Sequence, residues 1–344
     1  MQIALISDQL TTNYSEPINE AIVLNHNSVI ISVASAIEKL GHEVECIEAN
    51  NELEEYISRI KPEIVFNRSN KEDDKSGLAF TPSLLDKLKI PYTGSNAEVC
   101  ISAFNKNITK RILQEADIPT SKYCLIADPN EIQIPDSLSF PLFIKPIKGG
   151  CSLGIYEHNL VFSKESCIKI VRTTIEQSRQ PVLVEEFLTG REFTVGVLGN
   201  DPPRAFPVLE FIHDALESNS YLFRSFNTKM IKVKSDKQSC PAILSEMEED
   251  RIKKLAIDTY QAIGCRDYAR IDIRCNKDGI PHVLEVNVLP SLTPNDSSFV
   301  DIAETAGISF ENLIGTILIS AFERYDIDFG YENDRMKTSF SLSE

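Results

Sequence analysis

Apolar positions change their period along this chain. Residues 2–6 form a short apolar run, the signature of a buried strand. Val29, Val33, Ala36, Ile37 and Leu40 then recur at helical spacing and stop at Gly41, which predicts a helix over 29–40 with a glycine stop. Strands are predicted over 44–47 and 64–67, with a helix over 51–60 between them. Strand, helix, strand, helix, strand in this order predicts a parallel sheet with crossover helices. The segment Ile90-Pro-Tyr-Thr-Gly-Ser95 marks a boundary. Beyond it a helix is predicted over 104–116 and a strand over 141–145. Strands at 182–187, 192–198, 268–274 and 282–286 follow, with helices at 246–263 and 310–325. Residues after Tyr331 are polar and aperiodic, the pattern of a frayed tail.

Composition narrows the classes. At 344 residues the chain has room for two to three domains, and 42% apolar with 25% charged residues is ordinary for a globular protein. The net charge of −16 opposes non-specific binding to nucleic acid or anionic membranes, since phosphates need Lys and Arg to displace counterions. It leaves room for a nucleotide in a small basic pocket. No apolar run approaches the length of a spanning helix. The first residues lack the basic segment and the apolar length of a signal peptide. The eight cysteines form no CxxC pair, so reduced thiols in a cytoplasm are expected.

Four local patterns carry chemistry. After the strand at 141–145, Lys145 is followed by a loop with Gly149, Gly150, Ser152 and Gly154; glycines let backbone N–H groups approach an anion while lysine compensates its charge. A plain turn is the competing reading, and the spacing is not that of a phosphate loop. Next, an apolar strand ends in Glu185 and Glu186, turns at Gly190 and restarts at Glu192. This is either a hairpin with solvated charges or a strap whose backbone reads an adenine edge while an acid takes ribose hydroxyls. Third, Arg270 and Asp272 share one strand face, as do Glu285 and Asn287. The Asp278-Gly279 turn between their strands predicts an antiparallel pair. Two carboxylates and an amide oxygen would then lie together, a hard-oxygen set suited to Mg²⁺ beside phosphates, with Arg270 able to stabilise developing negative charge. A structural ion pair is the competing reading. Fourth, Lys106 starts the helix at 104–116 with Lys110 and Arg111 behind it, and helix-face lysines are usually solvated. The five histidines show no ligand spacing. The helix at 310–325, with Leu313, Ile317 and Ile319, reads as core or dimer packing.

Together these stretches resemble the ATP-grasp fold and, more closely, the D-alanine–D-alanine ligase family, over roughly residues 87–325. The resemblance implies an α/β (α+β) chain of three domains that clamps nucleotide between the central and C-terminal ones. They would be a Rossmann-like domain over 1–96, a central subdomain over 97–181 and a catalytic domain over 182–330, with a polar tail at 331–344. It implies that Lys106 and Lys145 hold ATP phosphates. Glu185, Glu186 and Leu188 would contact adenine and Glu192 the ribose. Gly150, Cys151 and Ser152 would form a lid loop, and Lys229 would reach the γ-phosphate. Asp272, Glu285 and Asn287 would ligate two Mg²⁺, with Mn²⁺ as an alternative. Arg270 would stabilise the acyl phosphate and tetrahedral intermediate. Ser291 stands where the family has a glycine whose backbone N–H helps form the oxyanion site and would supply that N–H, and Ser297 or Ser298 falls where the family binds the second substrate's carboxylate.

The departures concern the first substrate. The family's glycine-rich start and ammonium-binding glutamate are not matched in Asp8–Tyr14, and Glu16 and Glu20 are candidate replacements. The family's linked serine and tyrosine are Cys151 and Met230 here. The function implied is an ATP-dependent carboxylate–amine ligase joining amino acids or small peptides, giving ADP and phosphate, with an altered first-substrate site. The alternatives are a true D-alanine–D-alanine ligase of peptidoglycan synthesis and a non-catalytic ATP-binding module. The implied partners are small-molecule substrates, without nucleic acid or membrane, in a homodimer.

Overall fold

The computed structural model describes residues 1–8, 17–69, 78–149, 156–213 and 236–328. Strands β1 (Gln2–Ser7), β2 (Glu43–Glu48) and β3 (Ile64–Arg68) form a parallel sheet in the order β2-β1-β3. Crossovers are made by α1 (Pro17–Lys39) and α2 (Leu53–Ile60). α1 begins well before residue 29, with Pro17 in the first helical position, where a missing N–H costs nothing. β1 is central and buried on both faces, which is why it reads as an unbroken apolar run. Ala4 and Ile6 pack with Ile47, Ile57 and Leu85, while Ile3 and Leu5 pack with Val33 and Ile37 of α1.

Three helices follow: α3 (Phe80–Leu88), α4 (Ala97–Phe104) and α5 (Lys106–Glu115). The single helix predicted over 104–116 is thus two. Asn105 between them is extended, and its side chain accepts the backbone N–H groups of Asn107 and Ile108, capping α5. Lys106 thereby becomes the first residue of a helix.

The second sheet is antiparallel, in the order β4-β7-β5-β6, built from β4 (Tyr123–Ile126), β5 (Leu142–Pro146), β6 (Leu160–Val161) and β7 (Val182–Glu186). Helix α6 (Lys164–Ser178) covers it through Cys167, Val171 and Ile175. The third sheet runs β11-β10-β8-β12-β13, with β9 beside β8, from β8 (Glu192–Leu198), β9 (Arg204–Ala205), β10 (Leu209–His213), β11 (Asp236–Ser239), β12 (Tyr268–Cys275) and β13 (Pro281–Asn287). Helix α7 (Glu246–Ile263) covers one face together with α4 and α5, through Ile252, Tyr260, Val99 and Leu113. Helices α8 (Ser298–Thr305) and α9 (Phe310–Tyr325) cover the other face and share one core with the first sheet.

Sheet membership cuts across the spans expected from the sequence. β7, assigned to 182–330, is hydrogen-bonded to β4 and β5 and belongs to the second sheet. α4 and α5, assigned to 97–181, pack on the third. Local pattern cannot reveal such exchanges, because strand pairing is settled between residues far apart in the chain. Helix α9 is core, with Leu313 and Ile317 at 0% exposure. Among the described residues no single helix is long and apolar enough to cross a membrane.

Candidate active site

The hairpin β12–β13 supplies the site's floor. Its turn closes through Gly279 N–H to the Asn276 carbonyl at 3.1 Å, as the Asp-Gly signal predicts. In register, Arg270 stands opposite Asn287 and Asp272 opposite Glu285, so the four side chains share one face. The register shifts just beyond Asp272, a bulge that ends this alignment. Arg270 donates to both Asp272 oxygens at 2.9 Å from Nε and Nη2. Asp272 also accepts Asn287 Nδ2 at 2.9 Å and the Thr194 hydroxyl at 2.6 Å. Asp272 is thus oriented from three sides.

A second cluster faces this floor. Lys106, at the head of α5, donates to the Gly149 carbonyl at 2.8 Å and stands 3.9 Å from Glu285. It links the glycine-loop strand to the hairpin. Lys145 on β5 lies 2.5 Å from Glu185 on β7. Lys110, one turn along α5 from Lys106, lies 2.9 Å from the other Glu185 oxygen and is 2% exposed. It also donates to the Thr120 and Ser121 hydroxyls at 2.8 Å, and Ser121 donates to Glu185 at 2.9 Å. Burial alone would raise the Glu185 carboxyl, but the two ammoniums outweigh it and hold it down to about 2. Burial pushes the Lys110 ammonium down to about 8 against the pull of Glu185. Two ammoniums around one carboxylate leave one positive charge in surplus, which suits an anion nearby. Sequence analysis missed Lys110, reading it as a solvated helix lysine. The Glu185 carboxylate is turned onto the two lysines.

The remaining predicted residues fall in three places. Glu186 accepts Ser139 N–H at 2.9 Å, and Leu188 is buried beyond it. Glu192 pairs with the buried Arg274 at 2.9 Å, and that guanidinium lies 4.6 Å over the Phe187 ring. The i, i+2 spacing that puts Arg274 on the face of Asp272 was the signal available for finding it. Ser297 donates to the Ser291 carbonyl, and Ser291 shares a 2.8 Å hydrogen bond with Thr293. Ser298 is the first residue of α8. Gly150, Cys151, Ser152, Glu16, Lys229 and Met230 lie outside the described residues, as does the side chain of Glu20.

Among the described residues no three His, Cys, Asp or Glu side chains gather into a metal-sized group. The donor set of Asp272, Glu285 and Asn287 is two carboxylates and an amide, all offering oxygen. Two carboxylates directly opposite on neighbouring strands repel each other. A hard divalent cation among them is therefore chemically fitting.

Residues 112–319 match the family model for the D-ala D-ala ligase C-terminus. The chain is 32% identical over 300 residues to the D-alanine–D-alanine ligase of Carboxydothermus hydrogenoformans, covering 85% of this chain and 92% of that one. It is 30% identical over 302 residues to a protein of Sinorhizobium fredii named uncharacterized protein y4sG, covering 86% and 87% respectively. A crystal structure of the D-alanine–D-alanine ligase from Bacillus anthracis complexed with ATP is alike in fold, with a TM-score of 0.74 at 22% identity over 95% of this chain and 99% of that one.

Proposed function

The chain belongs to the D-alanine–D-alanine ligase family of ATP-grasp enzymes, ATP-dependent ligases that form C–N bonds, and from that premise we propose that it joins the carboxylate of one amino acid or small peptide to the amine of another through an acyl phosphate. The observation that supports this most is the approach of Lys106 to Glu285 across the Arg270–Asp272 face. It brings a buried ammonium, a guanidinium and a hard-oxygen set to one place.

In this reading Lys106 and Lys145 neutralise ATP phosphates, and Glu185 with Lys110 holds Lys145 in position. Backbone at Glu186 and Leu188 meets the adenine edge, and Glu192, braced by Arg274, takes the ribose hydroxyls. Asp272, Glu285 and Asn287 would hold Mg²⁺, which when bound supplies neutralisation of charge on the phosphates. A substrate carboxylate oxygen attacks the γ-phosphorus and ADP leaves. The amine nitrogen then attacks the carbonyl carbon, the C–O bond to phosphate breaks, and the amine loses a proton. Arg270 stabilises the negative charge on the acyl phosphate and on the tetrahedral carbon. Gly150, Cys151 and Ser152 close over the phosphates, Lys229 reaches the γ-phosphate, and Ser291 with Ser297 or Ser298 receives the second substrate. Cys151 and Met230 support a first-substrate site different from that of D-alanine ligases, because they replace hydrogen-bonding residues of that subsite.

A pairwise screen of L- and D-amino acids for substrate-dependent ADP release tests the reading. At least one pair should release ADP, and Glu285→Gln should lower kcat about a hundredfold or more. Dipeptide from D-alanine alone would make it a D-alanine–D-alanine ligase. ATP binding with no release for any pair would make it a non-catalytic module.

A further inference from the structure

Arg68 is the last residue of β3, at the carboxyl edge of the parallel sheet, where open α/β sheets bind their ligands. It is 4% exposed. Among the described residues its one hydrogen bond runs from Nη1 to the Tyr268 hydroxyl at 3.1 Å, and its Nε is buried without a partner. Among the described residues no carboxylate pairs with it. Asp8 takes the Ser69 hydroxyl at 2.7 Å. Asp267, next to Tyr268, is committed to Arg324 at 2.8 Å, to Gly94 N–H at 2.7 Å and to Asn200 at 2.9 Å. A buried guanidinium without a counter-charge is costly, and folding alone gives no reason to keep one. Among the described residues the other buried guanidinium, of Arg274, and the part-buried one of Arg324 each have a carboxylate within 2.9 Å.

The position of the unpaired edge is informative. Tyr268 and Arg270 are two apart on β12 and so share a face, about 7 Å from one another along the strand. Tyr268 packs on Phe299, the second residue of α8, with ring centroids 5.8 Å apart. Through Tyr268, Arg68 is linked to the strand that carries Arg270 and to the head of α8. The Nε-side edge of a guanidinium matches the two oxygens of a carboxylate.

We propose that Arg68 binds a second carboxylate of the acid donor, the one that is not activated, so that the donor is a dicarboxylate. This rests on the ligase reading, in which Ser297 or Ser298 receives the carboxylate of the amine acceptor.

The experiment takes the pair found by ADP release and replaces the donor's non-reacting carboxylate by a carboxamide. The replacement should lower kcat/KM of the wild type by about tenfold to a hundredfold. Arg68→Met should lower kcat/KM for the acid by a similar factor and treat acid and amide alike, with Arg68→Lys between the two. Wild-type discrimination surviving in Arg68→Met, or a donor without a second carboxylate, would overturn the proposal. A second measurement needs no turnover. Glutarate, and not its monoamide, should raise the Tm of the wild type and not of Arg68→Met. If it does not and no discrimination is seen, Arg68 is not a carboxylate site, whereas ADP release lost with the Tm response intact would overturn the ligase reading alone. Without ligand, Arg68→Met should be at least as stable as the wild type, since it removes a buried unpaired charge. A lower Tm with unchanged preference would make Arg68 structural.

Discussion

Lys110 and Glu185 illustrate how little of a charged residue's role lies in its neighbours along the chain. Lys110 occupies a helix position that ordinarily faces water, and Glu185 ends a strand, 75 residues away. Their meeting, with Lys145 as third member, follows from α5 lying beside the strand pair β5–β7. Glu185→Gln should leave two buried ammoniums without a counter-charge and cost about 3–5 kcal/mol, read as a lower urea midpoint. It should also raise KM for ATP, because Lys145 loses its anchor. The pH dependence has a definite sign. The folded Glu185 carboxyl is depressed to about 2, so its stabilisation is complete above the ordinary carboxylate range and is lost as pH falls toward 2. The wild type should therefore lose stability through that acid window more steeply than Glu185→Gln, measured as urea midpoint against pH. Lys110, depressed to about 8, acts at the other end: the unfolded chain holds that proton more tightly above pH 8, so stability gains from this group as pH rises further.

Among the elements, the hairpin β12–β13 was the most legible, because its turn signal and its i, i+2 pairs are local. Helix α5 was less so: its start depends on the Asn105 side chain reaching backbone N–H groups, and the apolar period runs through that break. The turn at Gly190 joins β7 of the second sheet to β8 of the third. A Cβ there would come 2.7 Å from the backbone oxygens of Cys275 and Asn276, which cannot move without distorting the end of β12. Gly190 also gives its N–H to the Cys275 carbonyl at 2.9 Å and its carbonyl to Arg274, the partner of Glu192. Gly190→Ala should cost about 1–3 kcal/mol of stability and raise KM for ATP more than it lowers kcat, measured by denaturation and initial rates.

At the scale of the molecule, the first and third sheets share an apolar core and are tied by an ion pair whose carboxylate is buried. Arg324 on α9 pairs with Asp267, which is 0% exposed, and donates to the Tyr92 carbonyl at 2.8 Å. Arg324→Met should leave Asp267 charged and unpaired and lower stability by about 3–5 kcal/mol, with no change in KM for ATP. Chemical denaturation and initial rates separate the two effects. The net charge of −16 belongs mostly to the surface, while Lys106, Lys110, Lys145 and Arg270 are gathered inward. By itself the sequence determined the alternation of strands and helices, the paired faces of β12 and β13, and the family to which those stretches belong, because each rests on periodicity or on residues close in the chain. Only the tertiary structure decided that β7 joins the second sheet, that α4 and α5 pack on the third, that Glu185 serves two lysines, and that Arg68 is buried without a counter-charge among the described residues. These depend on which surfaces meet, and burial is what turns a charged side chain from a solvated group into one that needs a partner.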